Sequence, residues 1–475
     1  MRIRNNPRLS TSVALALSAL VLGGCTTFSK DGGFDAVSAI TTDRTGQPVR
    51  REKSADDALA TQARVSRLLA EPLTPDSAVQ IALTNNRGLQ AAFAELGIAE
   101  ANSVQAGRIR NPGYAYGRLR GGDGVEIDRS ILFDFAGLLT LPLRSRIEAG
   151  RFEQAKLQAA AHALELAADT RRAYFTAVAA QQGVLYAQQV ASAAAAGAEL
   201  AQRLARVGNW SRLDQARELV FHADATTQLA RASHNALAAR EQLSRLMGLS
   251  GADLRYTLPE RLPDLPARPA ELANSEAQAM SQRLDVQIAR RDAEATAGSL
   301  GLTRGTGFIN VFDAGYANRS DTGKPRENGY EIALELPLFD WGDARIARAE
   351  ARYMQSVHRT ADVALRARSE VRVAYSAYRT TYDVARHYRD EVIPLRKRIS
   401  DEVLLRYNGM LASVFELLSD ARDQVGSVNA AIETQRDFWI AETGLQAAIN
   451  GGGGGGDGST PMRGQAPGQA PSQEH

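Results

Sequence analysis

Two stretches of the chain carry apolar side chains at helical spacing and lack the residues that break helices. The segment from Arg144 to Arg206 has no proline and few glycines, and the segment from Asp343 to about Glu391 is similar. At 1.5 Å per residue the first helix would be about 95 Å long, far beyond the globular average. In the second, side chains recur at the 4-3-4-3 spacing of a coiled-coil seam. The members of this seam are Val371, Tyr375, Tyr378, Tyr382 and Ala385.

Each long stretch is followed by a polar turn and a second helical stretch, which predicts two helical hairpins. The returning helices are predicted over about 211–247 and 412–449. Between Ala155 and Ala205, 20 of 51 residues are alanine, whose small side chain lets neighbouring helices approach closely. Such helices can pack on both sides and form a wall.

Short amphipathic segments precede each hairpin and predict two pairs of β-strands. The last of them alternates cleanly: Tyr330, Ile332, Leu334 and Leu336 fall on one face, and Glu331, Ala333 and Glu335 on the other. This is the period of a strand with one apolar and one wet side, in a soluble sheet or a membrane. A tilted transmembrane strand needs about 9–11 residues. The predicted strands are Tyr114–Arg120, Ser130–Leu141, Phe308–Asn318 and Tyr330–Leu338.

Matching signals in the two halves indicate a duplication. A Leu-Pro-Leu tripeptide precedes each long helix, and Gly208 and Gly409 interrupt the two hairpins. An L-x-x-A-R pattern follows each glycine, beginning at Leu213 and Leu418. A unit of about 200 residues is too long for a solenoid repeat, so we interpret it as a duplicated half-molecule. Long paired helices with amphipathic strands favour a duct over a catalytic pocket.

The first 24 residues have the features of an export signal. A basic start is followed by an apolar stretch too short to span a bilayer, which ends at Leu22-Gly23-Gly24-Cys25. This sequence resembles a bacterial lipobox, which would be cleaved before Cys25 and acylated on it. The alternative is an ordinary signal peptide with an incidental cysteine. Because Cys25 is the only cysteine, the chain cannot form an internal disulfide.

These signals divide the chain into six parts. Residues 1–24 form the signal peptide, and residues 25–72 are polar and predicted to be an irregular, lipidated tether. The two repeats cover 73–257 and 271–449, joined by a proline-containing linker at 258–270. Residues 450–475 are a low-complexity tail rich in glycine, proline and glutamine. Thr74-Pro75-Asp76 predicts the start of a helix that runs to about Gly107.

Charge and motifs argue against several functions. The formal charge is only +2, from 56 basic and 54 acidic residues, and does not suggest a nucleic-acid partner. The six histidines are scattered, and the sequence contains no H-E-x-x-H motif, no phosphate-binding P-loop and no second cysteine for a metal cluster. We therefore expect neither an enzyme nor a resident metal or cofactor.

Several motifs occur in a characteristic order along residues 73–449. They are Asn111-Pro112, Arg283-Leu284-Asp285-Val286, Leu336-Pro337-Leu338-Phe339-Asp340-Trp341-Gly342, Ile393-Pro394, Arg406-Tyr407-Asn408-Gly409 and Val414-Phe415-Glu416-Leu417-Leu418. These motifs and the order of elements resemble the TolC-like outer-membrane factor family, here of the lipoprotein type. The resemblance implies a mainly α fold with a membrane β-barrel. Each of three protomers would give four transmembrane strands to a 12-stranded barrel and long coiled-coil helices to a periplasmic tunnel.

The resemblance also implies which residues work. The hairpin tips would meet a periplasmic adaptor; they are Arg206, Val207, Gly208, Asn209, Arg406, Tyr407, Asn408 and Gly409. On the residues alone these are two turns, in which glycine supplies positive φ. Carboxylates just past the tips would line a closed entrance; the candidates are Asp214, Glu218, Glu416 and Asp420. They could equally be solvated helix faces beside arginines. Extra residues between Gly409 and Glu416 disturb the register.

Phe339 and Trp341 resemble an aromatic girdle at the membrane interface, or alternatively are packed strand-end aromatics. The sequence thus predicts an outer-membrane lipoprotein channel, the passive exit duct of a tripartite efflux pump that acts with an adaptor and an inner-membrane pump. A type I secretion duct, or a non-channel coiled-coil lipoprotein scaffold in the periplasm, are the alternatives. A third alternative, an envelope enzyme, is disfavoured because the sequence offers no nucleophile or metal cluster for it. The cargo is not indicated.

Overall fold

The computed structural model describes residues 27–122, 124–271, 275–306, 311–335 and 338–451. Helices of the first repeat and the segment before it are α1 Phe34–Thr45, α2 Ala55–Leu68, α3 Pro75–Asn85, α4 Arg87–Ala106, α5 Phe135–Arg206 and α6 Arg212–Leu246. Helices of the second repeat are α7 Ser275–Gln282, α8 Leu284–Gly305, α9 Asp343–His387, α10 Ile393–Asn408 and α11 Val414–Asn450. A 3-10 turn spans Gly251–Leu254, and a π-helical turn, Tyr388–Val392, joins α9 to α10.

The four predicted strands form one antiparallel sheet in the order β1-β2-β3-β4. The strands are β1 Gly113–Gly121, β2 Gly124–Asp134, β3 Phe312–Asp321 and β4 Glu327–Leu334. The central pair, β2 and β3, joins the two repeats, so β1 and β4 are the outer strands of the described sheet. The cleavage site at Cys25, most of the tail and the Leu336-Pro337 dipeptide lie outside the described residues.

The second strand begins and ends earlier in the chain than predicted, at Gly124 and Asp134, and the following helix is longer. β2 ends at Asp134 rather than near Leu141, because the Asp134 carboxylate accepts a hydrogen bond from the Gly137 N–H at 2.6 Å and caps a helix. Helix α5 therefore begins at Phe135 and has 72 residues, with Pro142 inside its third turn. At about 1.5 Å per residue it is roughly 108 Å long.

The predicted first helix of the repeat is two helices. Thr74 begins α3 with a capping box, as expected. The helix stops at Asn86, whose backbone is extended (φ −68, ψ 122) and whose side chain caps α4 by accepting from the Leu89 N–H at 2.9 Å. An asparagine in the middle of an apolar periodic run was thus a new helix start, which the sequence pattern alone does not distinguish from an exposed polar position.

This break closes the first hairpin. The Asn85 side-chain amide donates to the carbonyl oxygens of Met247 and Gly248, at 3.0 and 2.8 Å, where α6 ends. Gly248 has φ +68, and a Cβ there would lie 2.7 Å from the Asn85 carbonyl oxygen. The second repeat has the same arrangement: Arg283, at the break between α7 and α8, donates to the Ala448 carbonyl at 2.9 Å near the end of α11. Each returning helix is therefore fixed at its end by the break between the first two helices of its own repeat.

The segment predicted to be an irregular tether instead forms α1 and α2. Both helices have apolar positions that the structure buries, with Val37 and Val65 at 0% and 2% exposed. Phe34 meets Phe93 of α4 edge-on, with ring centroids 5.1 Å apart. The high polar content of this segment hid the few apolar side chains that dock it.

The linker between the repeats is held against helices of both. Leu262 and Leu265 of the linker are buried, as is Tyr256 just before it. The Trp439 indole N–H donates to the Pro263 carbonyl at 3.0 Å, and the Tyr382 hydroxyl donates to the Pro266 carbonyl at 3.1 Å. Tyr378 and Tyr382 belong to the predicted seam, which packs on α11 through Phe438. The seam prediction is confirmed: Val371, Tyr378, Tyr382 and Ala385 are buried, and Tyr375 is half-buried.

In the described part of the chain, no helix has both the length and the apolar character required to cross a bilayer.

Candidate hairpin tips and sheet faces

The first hairpin tip is a Schellman turn followed at once by a helix cap. Gly208 has φ +79, and its N–H donates to the Ala205 carbonyl at 3.2 Å. The next N–H, of Asn209, reaches back to the Leu204 carbonyl at 2.9 Å. These two bonds satisfy carbonyls that the end of α5 leaves free. Ser211 then caps α6.

The second tip has the same geometry with a different residue in the special position. The Met410 N–H donates to Tyr407 at 3.0 Å, and the Leu411 N–H donates to Arg406 at 2.7 Å. Met410 has φ 60, whereas Gly409 has φ −81. The prediction that Gly409 supplies the positive φ is therefore wrong; Met410 occupies that conformation.

This exchange resolves the register of the repeat. Gly208 corresponds to Met410, and the cap Ser211 corresponds to Ser413, both at an offset of 202 residues. Gly208 to Asp214 and Met410 to Glu416 are the same distance along the chain, so the two tips of this chain match each other in register. The L-x-x-A-R match at an offset of 205 is consequently not the structural correspondence.

Two of the four candidate carboxylates are capping residues at equivalent positions. The Ser211 hydroxyl accepts from the Asp214 N–H at 3.1 Å and donates to its carboxylate at 2.7 Å. In the other hairpin, the Ser413 hydroxyl accepts from the Glu416 N–H at 3.2 Å, and the Glu416 carboxylate accepts from the Ser413 N–H at 2.8 Å. Both carboxylates stand in the first turn of a helix, where the helix dipole favours negative charge.

The other two carboxylates are bound to neighbouring helices. Glu218 is 1% exposed and forms an ion pair with Arg422, which joins α6 to α11. Asp420 accepts a hydrogen bond from the Ser400 hydroxyl of α10. Among the residues that the structure describes, no hydrogen bond links one of the four candidates to another. A ring of these carboxylates therefore requires further copies of the chain.

Two cation–π contacts also link the two hairpins. The Arg422 guanidinium lies over the Phe221 ring, 4.8 Å from its centroid, and Arg217 lies over Phe415 at 5.5 Å. Cation–π contacts of this kind contribute up to about 2 kcal/mol when desolvated. In the sequence, Arg422 belongs to a repeat pattern and is one of the arginines near the candidate carboxylates, but no local pattern identifies Glu218 as its partner.

The sheet has one apolar and one acidic face. Strand register places Tyr114, Ile131, Tyr316, Tyr330 and Ile332 on the first face, and most of these side chains are exposed. Towards the β1–β2 turn this face carries Arg118, Arg120 and Arg129 beside the apolar Val125 and Ile127. The alternation predicted for Tyr330, Ile332 and Leu334 against Glu331 and Ala333 is confirmed within β4.

The second face carries seven carboxylates and one guanidinium. The carboxylates are Glu126, Asp128, Asp134, Asp313, Asp321, Glu327 and Glu331. Arg319 binds two of them, at 2.8 Å to Asp128 and 3.1 Å to Glu126. The positions between are mostly glycine and alanine, and a cavity of about 520 Å³ lies on this side. Period-2 alternation in β2 could have revealed this face from the sequence.

The candidate girdle residues project from the connection between β4 and α9. Phe339 is 98% exposed and Trp341 is 60% exposed, so neither is packed inside this chain. Gly342, with φ 80, begins α9, and its N–H donates to the Asp340 carboxylate at 2.8 Å. Within the described residues no three histidine, cysteine or acidic side chains are grouped to hold a metal ion.

The chain is similar to known channel proteins. No family model matches it. It is 29% identical over 289 residues to the cobalt-zinc-cadmium resistance protein CzcC of Cupriavidus metallidurans, which is 57% of this chain and 64% of that protein. The chain thus matches less than two thirds of the length of this curated relative.

Solved structures match over more of the chain. The Campylobacter jejuni outer-membrane channel CmeC superposes with a TM-score of 0.69 at 16% identity, over 80% of this chain and 86% of that one. The Vibrio cholerae outer-membrane protein VceC gives 0.67 at 16% identity, over 84% and 99%. Both are outer-membrane proteins, and CmeC is an outer-membrane channel. The chain therefore has the fold of these outer-membrane proteins, in agreement with the resemblance inferred from the motifs.

Proposed function

We propose that this protein is the outer-membrane channel of a tripartite efflux pump. The observation that carries the proposal is a two-sided sheet continuous with two matched helical hairpins. The apolar face suits lipid, and the acidic face suits a water-filled passage. The hairpins extend the passage away from the membrane into the periplasm.

The channel would be a homotrimer. The outer strands β1 and β4 present backbone groups that lipid cannot satisfy, so the sheet needs neighbours in a membrane. Three chains would join β4 of one to β1 of the next and close a barrel of 12 strands. The same symmetry would supply a wall of long helices below it.

Transport through this duct would be passive, and other proteins would supply the energy. The hairpin tips would receive a periplasmic adaptor that connects the channel to an inner-membrane pump. Apolar side chains at both tips are available for this contact: Val207 is 69%, Leu411 82% and Met410 94% exposed. An acyl group on Cys25 would anchor each protomer to the outer membrane.

Divalent metal cations are the cargo that we favour. The relative CzcC is named for cobalt, zinc and cadmium resistance, and seven carboxylates against one guanidinium would concentrate cations on the acidic face. Passage needs no metal-binding cluster. The negative electrostatic potential of the acidic face would favour cations without forming a binding site. A type I secretion duct for polypeptides remains the second candidate, because the fold accommodates either cargo.

The first test is the native mass of the mature protein extracted in mild detergent. We expect a trimer with added acyl mass on every chain. A stable monomer would overturn the channel proposal and favour the periplasmic scaffold, since four strands cannot close a barrel.

The cargo is tested in cells that lack the protein. Loss of the gene should increase sensitivity to cobalt, zinc or cadmium, and the wild-type gene should restore growth. Unchanged metal sensitivity, with loss of a secreted polypeptide, would replace the metal proposal by the secretion duct.

A further inference from the structure

The segment before the first repeat contacts the C-terminal end of α11. Arg44, in the last turn of α1, donates to the Asn450 carbonyl at 2.9 Å and to the Gln282 carbonyl at 2.7 Å. These oxygens belong to the ends of α11 and α7. Helix C-termini carry partial negative charge, so a cation placed there is stabilised. One side chain thus bridges segments that are 406 and 238 residues away.

Burial supports a specific role for Arg44. Burial lowers the pKa of Arg44, and the charge of Asp43 opposes this. Arginine nevertheless remains protonated in proteins, so a partly desolvated cation must find acceptors. The two helix-end carbonyls are those acceptors.

The Arg-Leu-Asp-Val motif acts at the same place. The side chain of Arg283 is 4% exposed and binds Asp285 at 2.7 Å, Glu370 at 2.6 Å and the Ala448 carbonyl at 2.9 Å. Burial lowers the pKa of Arg283, but hydrogen bonds and charges from the two carboxylates outweigh it and the pKa is raised. Gly451 turns the chain here with φ +79, and a Cβ on it would lie 2.7 Å from the Leu284 nitrogen.

The other end of the segment is fixed as well. Ser29 donates twice to the buried Glu100 carboxylate of α4, from its N–H at 2.7 Å and its hydroxyl at 2.5 Å. Gly33 has φ +74, and a Cβ there would lie 2.7 Å from Phe152 of α5. Between these points Val37 and Thr41 are fully buried. The segment is therefore fastened at both ends.

We propose that residues 29–45 form an intramolecular clasp that, with Arg283, completes the cap of α11. The clasp couples the segment before the first repeat to the last turn of α11. Residue 25 is four residues from Ser29, a span of at most about 14 Å. A lipid on Cys25 would therefore tether the clasp, and through it the second hairpin, to the membrane. Only this last consequence rests on the proposed function.

Hydrogen exchange of the full-length, detergent-extracted protein tests the clasp. We expect R44M to speed exchange of the amides at 446–451 by about tenfold or more, because the last turn loses its tie. The matched control is R291M, since Arg291 is half-exposed in α8 and binds only Glu294 at 3.2 Å; it should leave these amides unchanged. E100Q should speed exchange at 27–33.

A second variant separates capping from general destabilisation. R283K keeps one charge but not the fork that binds three partners, so exchange at 446–451 should rise while the amides of the first hairpin stay at the wild-type rate. Unchanged exchange at 446–451 in both R44M and R283K would overturn the clasp. Failure of the wild-type protein to form a trimer would count against the channel and leave this result standing.

Discussion

At the second hairpin tip, one methionine occupies a backbone conformation that glycine occupies at the first. Met410 adopts φ 60 at the position equivalent to Gly208. A side chain in the left-handed region costs about 1–2 kcal/mol for ordinary residues. Its side chain is almost fully exposed, so nothing within the chain compensates. An exposed apolar residue in a strained position is what a contact with another protein would explain.

We expect M410G to stabilise the isolated protein by about 1 kcal/mol, because glycine adopts this conformation without a Cβ penalty. Thermal unfolding of the detergent-extracted protein measures it. G409A is the control, since Gly409 has φ −81 and should tolerate a side chain. A lower melting temperature for M410G would show that the methionine contributes contacts of its own.

The half-buried carboxyl group of Glu442 makes stability depend on pH. Burial raises the pKa of Glu442, and the charge of Arg171 opposes this more weakly. The pKa of Glu442 is higher in the folded protein than in the unfolded chain. The free energy of unfolding is therefore fully retained below the ordinary pKa and falls as the pH rises through the folded-state pKa, because a half-buried carboxylate must then be charged. E442Q stays neutral, so it should match the wild type near pH 4 and melt at a higher temperature near pH 8.

Melting curves of E442Q and wild type across this range decide the matter. The exposed Glu433 on the same helix provides the matched control variant, E433Q. If E442Q shows the same difference from wild type at every pH, titration of Glu442 is not the cause.

At the scale of elements, the two hairpins are tied just behind their tips. The Glu218–Arg422 pair joins α6 to α11, with Glu218 nearly inaccessible to solvent. Breaking a buried pair by removing one partner typically costs about 3–5 kcal/mol, whereas removing both costs much less. The Glu218–Arg422 pair is therefore a contact that holds the two hairpins together behind their tips.

We expect R422M to destabilise the protein by about 3 kcal/mol, and the double variant E218L/R422M to recover most of this loss. Denaturant unfolding of the four members of the cycle measures the coupling. The exposed pair Arg406–Glu402 in α10 is the control, with an expected coupling below about 1 kcal/mol. Additive effects of E218L and R422M would remove the pair from the tie.

The sequence predicted these elements well where periodicity was long. The two hairpins, the four strands and the buried tyrosine seam follow from spacing alone. It failed where a single residue outweighed its neighbours, as when Asn86 started a new helix or Asp134 ended a strand by capping α5. The sequence did not predict the helices α1 and α2, because four or five apolar side chains in a polar stretch are a weak signal.

The candidate site was less predictable because contacts across distant segments are not encoded in local pattern. Asp214 and Glu416 could be named from the resemblance, but their equivalence as capping residues required the positive φ of Met410. Glu218 was predicted to face a pore and is buried against Arg422 in the described chain. Whether these carboxylates gate a channel remains a prediction.

At the scale of the whole molecule, that prediction can be tested without disturbing the caps. D214N and E416Q keep an oxygen that can accept hydrogen bonds but remove the charge. In single-channel recordings we expect the double variant to show weaker block by divalent cations and a higher closed-state conductance, since a ring of negative charge is gone.

The control is E402Q, which removes an exposed charge from α10 in the same hairpin. Currents and cation block identical to the wild type in the double variant would exclude these two residues from the gate.

The matched tips have a geometric consequence for assembly. The returning helices contain 35 and 37 residues and are both fixed at their far ends, so the two tips of one protomer would differ in reach by only about 3 Å. Around a threefold axis, six tips would then end at nearly the same level and form a flat rim. A partner approaching that rim would meet six near-equivalent seats from three chains, and could dock with sixfold symmetry.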